Sequence, residues 1–260
     1  MSRVLVTGAA SGLGEALTRA LRARGDEVVA TDVSGHGAFE TGARAPSSTT
    51  RKLDITSDDD WASAAAWVEE HGGLDVLVNN AGVAGGGRID IAGIDEWQRL
   101  IDVNLLGVVR GCRTFTPVFK RQRSGRIINV ASLAGLVHPA GMGPYNAVKA
   151  AVVALTETLG HELAAYGVTA HAVCPSYFRT NLMASLTGAD DAVGAVVTEL
   201  VETSAFTADD IAGAVLAGLD AGEELILPDP MARAAYEQKV ADRPAYDAQL
   251  RRQAVRLEGL

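Results

Sequence analysis

Two hydrophobic patterns alternate along this chain. Short apolar runs are each followed by longer stretches in which apolar residues recur at helical spacing. Arg3 to Thr7 is the first run, and glycines follow it at once. From Leu13 to Arg24, the residues Leu13, Leu17, Ala20 and Leu21 recur at i, i+4, i+7 and i+8, one face of a helix that Gly25 ends. Glu27 to Thr31 reads as a second strand ending at Asp32, and Arg51 to Asp54 as a short third. Between them, Ser34 to Ser48 is rich in Gly, Ala and Ser and is read as irregular. Ser57 has N-cap chemistry, and Asp58, Asp59 and Asp60 place negative charge in the helical turn that follows. That assigns the acidic run to the helix dipole rather than to a metal.

Leu74 to Val78 is a strand running into Asn79, Asp95 to Lys120 a long helix, and Arg126 to Ala131 a further strand. Tyr145 to Tyr166 is a second long helix, closed by Gly167. Val168 to Cys174 and Glu224 to Leu227 complete the strands. Strands alternating with helices predict an α/β fold, a single doubly wound domain with a parallel sheet covered by helices on both faces. Pro228-Asp229-Pro230 marks the end of the main domain, residues 1–228. Residues 229–260 form a charged C-terminal helical extension, broken at Pro244.

Composition narrows the function. The chain has 260 residues, within reach of one α/β domain, and 48% of them are apolar, enough for a core without staples. Lys and Arg number 23 against 32 Asp and Glu, a net charge of −9, and no basic block stands out. A nucleic-acid binder working by phosphate neutralisation and a binder of anionic membrane are both disfavoured. No uncharged apolar stretch reaches the length of a membrane span. The apolar run after Met1 is too short for a secretory signal. Cys112 and Cys174 fit neither a disulfide framework nor a zinc spacing. These features together predict a cytoplasmic protein. His36, His71, His138, His161 and His171 share no metal spacing, so no metal site is expected. His138 alone is expected to border a substrate, and Cys174 is read as packing.

The first strand-to-helix turn reads Thr7-Gly8-Ala9-Ala10-Ser11-Gly12-Leu13-Gly14. Small residues there let the backbone approach a pyrophosphate, and the helix N-terminus adds N–H donors and positive potential. Asp32 ends the second strand 18 residues after Gly14, where an acidic residue hydrogen-bonds the adenosine ribose hydroxyls. Its charge repels a 2′-phosphate, and the neighbouring Thr31, Val33 and Ser11 supply no cation. The cofactor expected is NAD, with NADP disfavoured.

Tyr145-Asn146-Ala147-Val148-Lys149 opens the second long helix, and i, i+4 spacing puts Tyr145 and Lys149 on one face. A nearby ammonium favours phenolate, so Lys149 is expected to lower the Tyr145 pKa and fit it for proton transfer to an alcohol or carbonyl oxygen. The strand-end Ser132 lies 13 residues before Tyr145.

These features together resemble the short-chain dehydrogenase/reductase family, in its roughly 250-residue branch, from about Arg3 to Leu227. The glycine turn has that family's spacing. Asp54-Ile55 looks like its adenine-contacting pair. Asn79-Asn80-Ala81-Gly82 looks like its fourth-strand motif, whose Asn80 and Gly82 line the cofactor. Asn104 sits where the family keeps a helix asparagine. Cys174-Pro175-Ser176-Tyr177-Phe178-Arg179-Thr180 matches its segment after the sixth strand, which brings Phe178 and Thr180 to the cofactor. Ser176 departs from the glycine usual there, which leaves the local backbone open. The resemblance implies a Rossmann-type domain with a catalytic set of Asn104, Ser132, Tyr145 and Lys149. In it Tyr145 is the general acid/base, and Lys149 tunes Tyr145 and binds the nicotinamide ribose. Ser132 holds the reacting oxygen. Asn104 keeps a water or a backbone kink that links Lys149 to solvent. Gly8, Ser11, Gly12, Leu13 and Gly14, with Asp32, complete the cofactor site.

Val83 to Arg88, Leu133 to Met142 and Tyr177 to Leu186 are expected to wall an apolar substrate pocket. The resemblance also implies a homotetramer or homodimer built on the two long helices. The tail after Met231 either packs on a neighbour, covers the site or is a solvated helix. The expected activity is NAD-dependent interconversion of an alcohol and a ketone or aldehyde. An NADP-dependent 3-oxoacyl reductase and a non-catalytic nucleotide-binding scaffold are the alternatives.

Overall fold

The computed structural model describes residues 1–35 and 50–259, so most of the stretch read as irregular lies outside the described residues. Seven strands form one parallel sheet in the order β3-β2-β1-β4-β5-β6-β7. They are β1 (Arg3–Thr7), β2 (Glu27–Asp32), β3 (Arg51–Lys52), β4 (Val76–Asn79), β5 (Gly125–Val130), β6 (Val168–Val173) and β7 (Leu225–Ile226). Strand order reverses between β1 and β4, the switch point at which such sheets open a crevice.

The helices are α1 (Gly12–Ala23), α2 (Asp58–Glu70), α3 (Ile94–Leu100), α4 (Gly107–Gln122), α5 (Ala134–Val137) and α6 (Gly143–Leu163). After β6 come α7 (Asp191–Glu202) and α8 (Ala208–Asp220), and after β7 come α9 (Pro230–Ala241) and α10 (Arg243–Leu257). Side chains of a strand point alternately to the two faces of its sheet. Val4, Val6, Val78 and Ile128 pack with Leu17, Val215 and Leu216, which belong to α1 and α8. Leu5, Leu77 and Ile127 face the other way, onto Trp61, Phe115 and Val152 of α2, α4 and α6. The apolar runs carry no solvent face because both sides of the sheet are covered.

Four readings are revised. The long helix expected over 95–120 is α3 and α4 joined by a π-helical stretch, Ile101–Leu106, that contains Asn104. β3 and β7 are two residues each, shorter than expected. Two helices, α7 and α8, stand where no element was predicted. The tail breaks at Asp242, whose carboxylate accepts from the Ala245 amide, so Pro244 lies in the first turn of α10 rather than ending a helix. No described helix is long and apolar enough to cross a membrane.

Candidate active site

The site is assembled at the C-terminal ends of the strands, beginning with a stitch across the switch point. Thr7 Oγ1 accepts from the amides of Asn80 and Ala81, both at 3.0 Å. Asn80 Nδ2 donates back to the carbonyls of Thr7 (2.9 Å) and Gly8 (3.2 Å). The neighbouring Asn79 is buried and serves the sheet, donating to Asn129 Oδ1 at 2.9 Å.

The glycine turn fits a dinucleotide. Gly8 and Gly12 hold φ of +65° and +57°, the left-handed region that favours glycine. A Cβ on Gly14 would overlap the Gly8 carbonyl oxygen and lie 2.5 Å from Asn80 Nδ2, so Gly14 lets α1 pack tightly under the turn. Ser11, the N-cap of α1, makes no side-chain cap bond, whereas Ser57, Asp190, Thr207, Asp229 and Asp242 cap α2, α7, α8, α9 and α10. The first amides of α1 therefore have no capping side chain, which suits a pyrophosphate. Asp32 closes this end. Its Oδ1 accepts from the Ser34 amide (2.9 Å) and hydroxyl (2.7 Å), and its Oδ2 from the Ala10 amide at 3.3 Å. Arg51, paired in register with Thr31, stacks over the Trp67 ring at 4.8 Å.

Asp54 Oδ1 accepts from the Thr56 amide and hydroxyl, and the Ile55 carbonyl accepts from Trp61 Nε1 at 3.0 Å. Asp60 holds the Asp54 amide and the Ser57 hydroxyl, so that carboxylate serves the turn and cap that its position predicts.

A single cleft of about 1320 Å³ runs from this end to the opposite one. Gly8, Ser11, Gly12, Leu13 and Asp32 line it at the turn, followed by Asp54, Ile55, Asn80 and Gly82. Ser132, Tyr145, Lys149, Phe178 and Thr180 line it further along. Gly14 and Asn104 do not. Asn104 is fully buried beneath the floor, where its Nδ2 donates to the Val83 carbonyl (2.9 Å) and its Oδ1 accepts the Val83 amide (2.8 Å). Both polar side-chain atoms thus help to fix the loop after β4. A Cβ on Gly82 would sit 2.9 Å from Asn104 Oδ1.

Ser132 follows β5; its Oγ accepts the Ala134 amide at 3.2 Å, and its hydroxyl also hydrogen-bonds Tyr145. Tyr145 is in the first turn of α6 and Lys149 one turn on. Lys149 is buried, and its Nζ donates to the Val130 carbonyl at 3.0 Å and lies 5.7 Å from the centre of the Tyr145 ring. The expected lowering of the Tyr145 pKa by Lys149 is not found. Burial pushes the phenol up to about 12, opposed by the hydrogen bond with Ser132. Burial also brings the Lys149 ammonium down to about 8. The reason is burial: loss of solvation is the largest cause of both shifts, and it disfavours the phenolate and the ammonium alike.

Ser176 explains its departure from glycine. Its amide and hydroxyl donate to the Asp229 carboxylate at 2.9 and 2.6 Å, and Asp229 also caps α9 through the Ala232 amide at 2.8 Å. Cys174 is fully buried with its thiol pushed up to about 12, a packing residue and not a nucleophile. His138 does not line the cleft. It sits at φ +53°, with Nε2 on the Gly135 carbonyl and Nδ1 3.0 Å from Lys239 Nζ.

The three expected wall segments all reach the cleft, although Leu136 turns into the core. One wall escaped the sequence reading: Val193 and Val197 of α7 line the substrate end. Tyr246, Leu250 and Leu257 of α10 line it too, so of the alternatives left open for the tail the structure has it covering the site. The spacing of Val193, Val197 and Leu200 is a helix signal, but nothing in it says which surface α7 covers. The tail packs on its own chain: Tyr246 Oη donates to the Val137 carbonyl at 2.8 Å, and Lys239 Nζ to the Leu136 carbonyl.

The family profile described as short chain dehydrogenase matches residues 2–191. The 2-(R)-hydroxypropyl-CoM dehydrogenase of Xanthobacter autotrophicus is 35% identical over 233 residues, 85% of this chain and 93% of that one. A short chain dehydrogenase/reductase of Burkholderia phymatum, solved in complex with NAD, superposes with a TM-score of 0.82 at 29% identity, covering 93% of each chain. A short chain dehydrogenase of Burkholderia cenocepacia, solved in complex with NADP, gives 0.80 at 27% identity, covering 96% of this chain and 97% of that one.

Proposed function

The chain belongs to the short-chain dehydrogenase family, as an oxidoreductase of alcohols and ketones, and from that premise we propose that it prefers NAD and uses Tyr145 as general acid/base. One observation carries the reading: Ser132, Tyr145 and Lys149 meet in the same cleft that Asp32 closes at its other end. Solved relatives hold NAD or NADP. Asp32 favours the first, because its carboxylate accepts from ribose hydroxyls and repels a 2′-phosphate.

The glycine turn and the uncapped start of α1 hold the pyrophosphate. Asp32 holds the adenosine ribose, Asp54 and Ile55 the adenine, and Lys149, Phe178 and Thr180 the nicotinamide half. When bound, the nicotinamide supplies or accepts the hydride. The remaining steps belong to the chain. Ser132 donates a hydrogen bond to the substrate oxygen, where charge develops. Tyr145 gives that oxygen a proton during reduction and takes one during oxidation. Lys149 supplies positive charge on the same side of the site. Asn104 acts from below, by fixing Val83. An apolar alcohol or carbonyl compound suits the walls, and the two long helices pair subunits into a homodimer or homotetramer.

Titration with NADH and NADPH, followed by nicotinamide fluorescence, tests the cofactor. NADH is expected to bind more tightly, and tighter NADPH binding moves the NADP-dependent 3-oxoacyl reductase to first place. Tyr145→Phe is expected to bind NADH as the wild type does while losing turnover on a ketone screen. Wild-type turnover in that variant overturns the role of Tyr145.

A further inference from the structure

At the far end of the cleft, Asp190, Val193 and Leu257 belong to a corner that no catalytic group requires. Four segments meet there: the loop after β4, the loop before α6, the start of α7 and the end of α10. Arg88 is at their centre. Its Nε and Nη2 donate to Asp190 Oδ2 and Oδ1 at 2.8 and 3.0 Å, and its own amide donates to Oδ2 at 2.9 Å. Its Nη1 reaches the other way, to Glu258 Oε2 at 3.0 Å and the Leu257 carbonyl at 3.4 Å. The Asp190 side chain is 1% exposed and also caps α7, so the fork holds a buried carboxylate that sets where α7 starts. Beside it, Gly87 donates to the Gly141 carbonyl at 2.7 Å. A Cβ on Gly141 would meet Val193 Cγ2 at 2.8 Å and Leu257 Cδ1 at 3.2 Å, so the apolar end wall is closed to within one methyl group.

We propose that Arg88 is a positioning residue for the substrate: it clasps the start of α7 to the end of α10 and so sets the length of apolar substrate that the chamber admits. The inference rests on the proposed alcohol–ketone chemistry for its meaning but not for its geometry. Ser132 follows β5, Tyr145 and Lys149 stand on α6, and none of them is a hydrogen-bond partner of Arg88. Loosening the corner changes which substrate fits and leaves the reacting oxygen's partners in place. Two carboxylates, Asp190 and Glu258, are joined through one planar guanidinium, a fork that an ammonium does not reproduce.

The test uses the full chain and a series of methyl ketones of increasing chain length, with NADH. The wild type is expected to show a chain-length cutoff. Arg88→Met and, separately, Leu257→Ala are expected to shift it to longer ketones. KM for the longest ketone that fits the wild type is expected to rise by about tenfold in both, with NADH binding unchanged and, in Arg88→Met, kcat on the shortest ketone unchanged. Leu257→Ala opens the same wall without touching the ion pair, so it reports even if Arg88→Met folds poorly. A cutoff unmoved in both variants overturns the proposal. Hydrogen exchange gives a readout independent of turnover: Arg88→Met is expected to lose protection at 190–194 and 254–258 alone. Unchanged protection there overturns the clasp. Absence of turnover by the wild type on every ketone is a failure of the proposed activity, and the exchange result then decides the clasp by itself.

Discussion

The bond between Ser176 and Asp229 offers a prediction that joins the cofactor side of the cleft to the C-terminal helices. Asp229 is 2% exposed and receives three donors, the Ser176 amide, the Ser176 hydroxyl and the Ala232 amide. Ser176→Ala removes only the hydroxyl, a hydrogen bond to a charged group worth about 1.5–3 kcal/mol. Asp229→Ala removes all three and leaves two amides short of a partner, so about 3–5 kcal/mol is expected once relief of the buried carboxylate is subtracted. In the Asp229→Ala background the Ser176 hydroxyl has lost that partner, so adding Ser176→Ala costs close to nothing. The coupling between the two sites is therefore about 1.5 kcal/mol or more. For a chain of this size each kcal/mol moves the melting temperature by about 2–4 °C. Urea denaturation of the wild type, both single variants and the double variant measures the cycle. Additive effects, with a coupling under about 0.5 kcal/mol, refute the claim that Ser176 anchors α9 through Asp229.

Gly14→Ala is expected to weaken NADH binding by more than about tenfold, because the new methyl overlaps a carbonyl that cannot move aside. Gly160→Ala, a helix position with nothing within 4 Å, is the control and is expected to stabilise the protein by about 0.5–1 kcal/mol. Equal binding by both variants removes the argument. Burial holds the imidazoles of His138 and His171 below the usual 6.5, so the unfolded chain takes up their protons first as pH falls. Their contribution to stability is complete above about pH 6.5 and is lost as pH drops through the folded-state values. The urea midpoint is expected to fall from pH 7.5 towards pH 5, roughly the range over which histidine titrates. His138→Asn, which tolerates φ +53°, is expected to flatten part of that slope. A midpoint constant across the range contradicts this.

Much of the site was legible because its signals are local. Gly8, Gly12 and Gly14 follow a strand and open a helix, and backbone conformation and close approach admit little else there. Tyr145 and Lys149 share a helix face by spacing alone. Asp32 and Ser132 end strands, and in a parallel sheet strand ends gather at one edge. The order of these elements was enough to bring the residues proposed for the cofactor and those proposed for catalysis to one cleft.

Other features depended on partners remote in sequence. The π-helical stretch around Asn104 goes with its double hydrogen bond to Val83, 21 residues earlier. The tyrosine's pKa depends on how deeply the fold buries it and on its hydrogen bond with Ser132, and i, i+4 spacing constrains neither. Ser176 looked like a flaw in a motif until Asp229, 53 residues on, was seen to receive its hydroxyl. The substrate walls on α7 and α10 depend on the same kind of distance. Hydrophobic periodicity determined that these segments are helices, since that requires only neighbours three and four residues away. Which surface each helix covers was decided by tertiary contacts, among them the reach of Arg88 to Asp190 and Leu257, because burial and charge pairing act between segments that only the folded chain brings together.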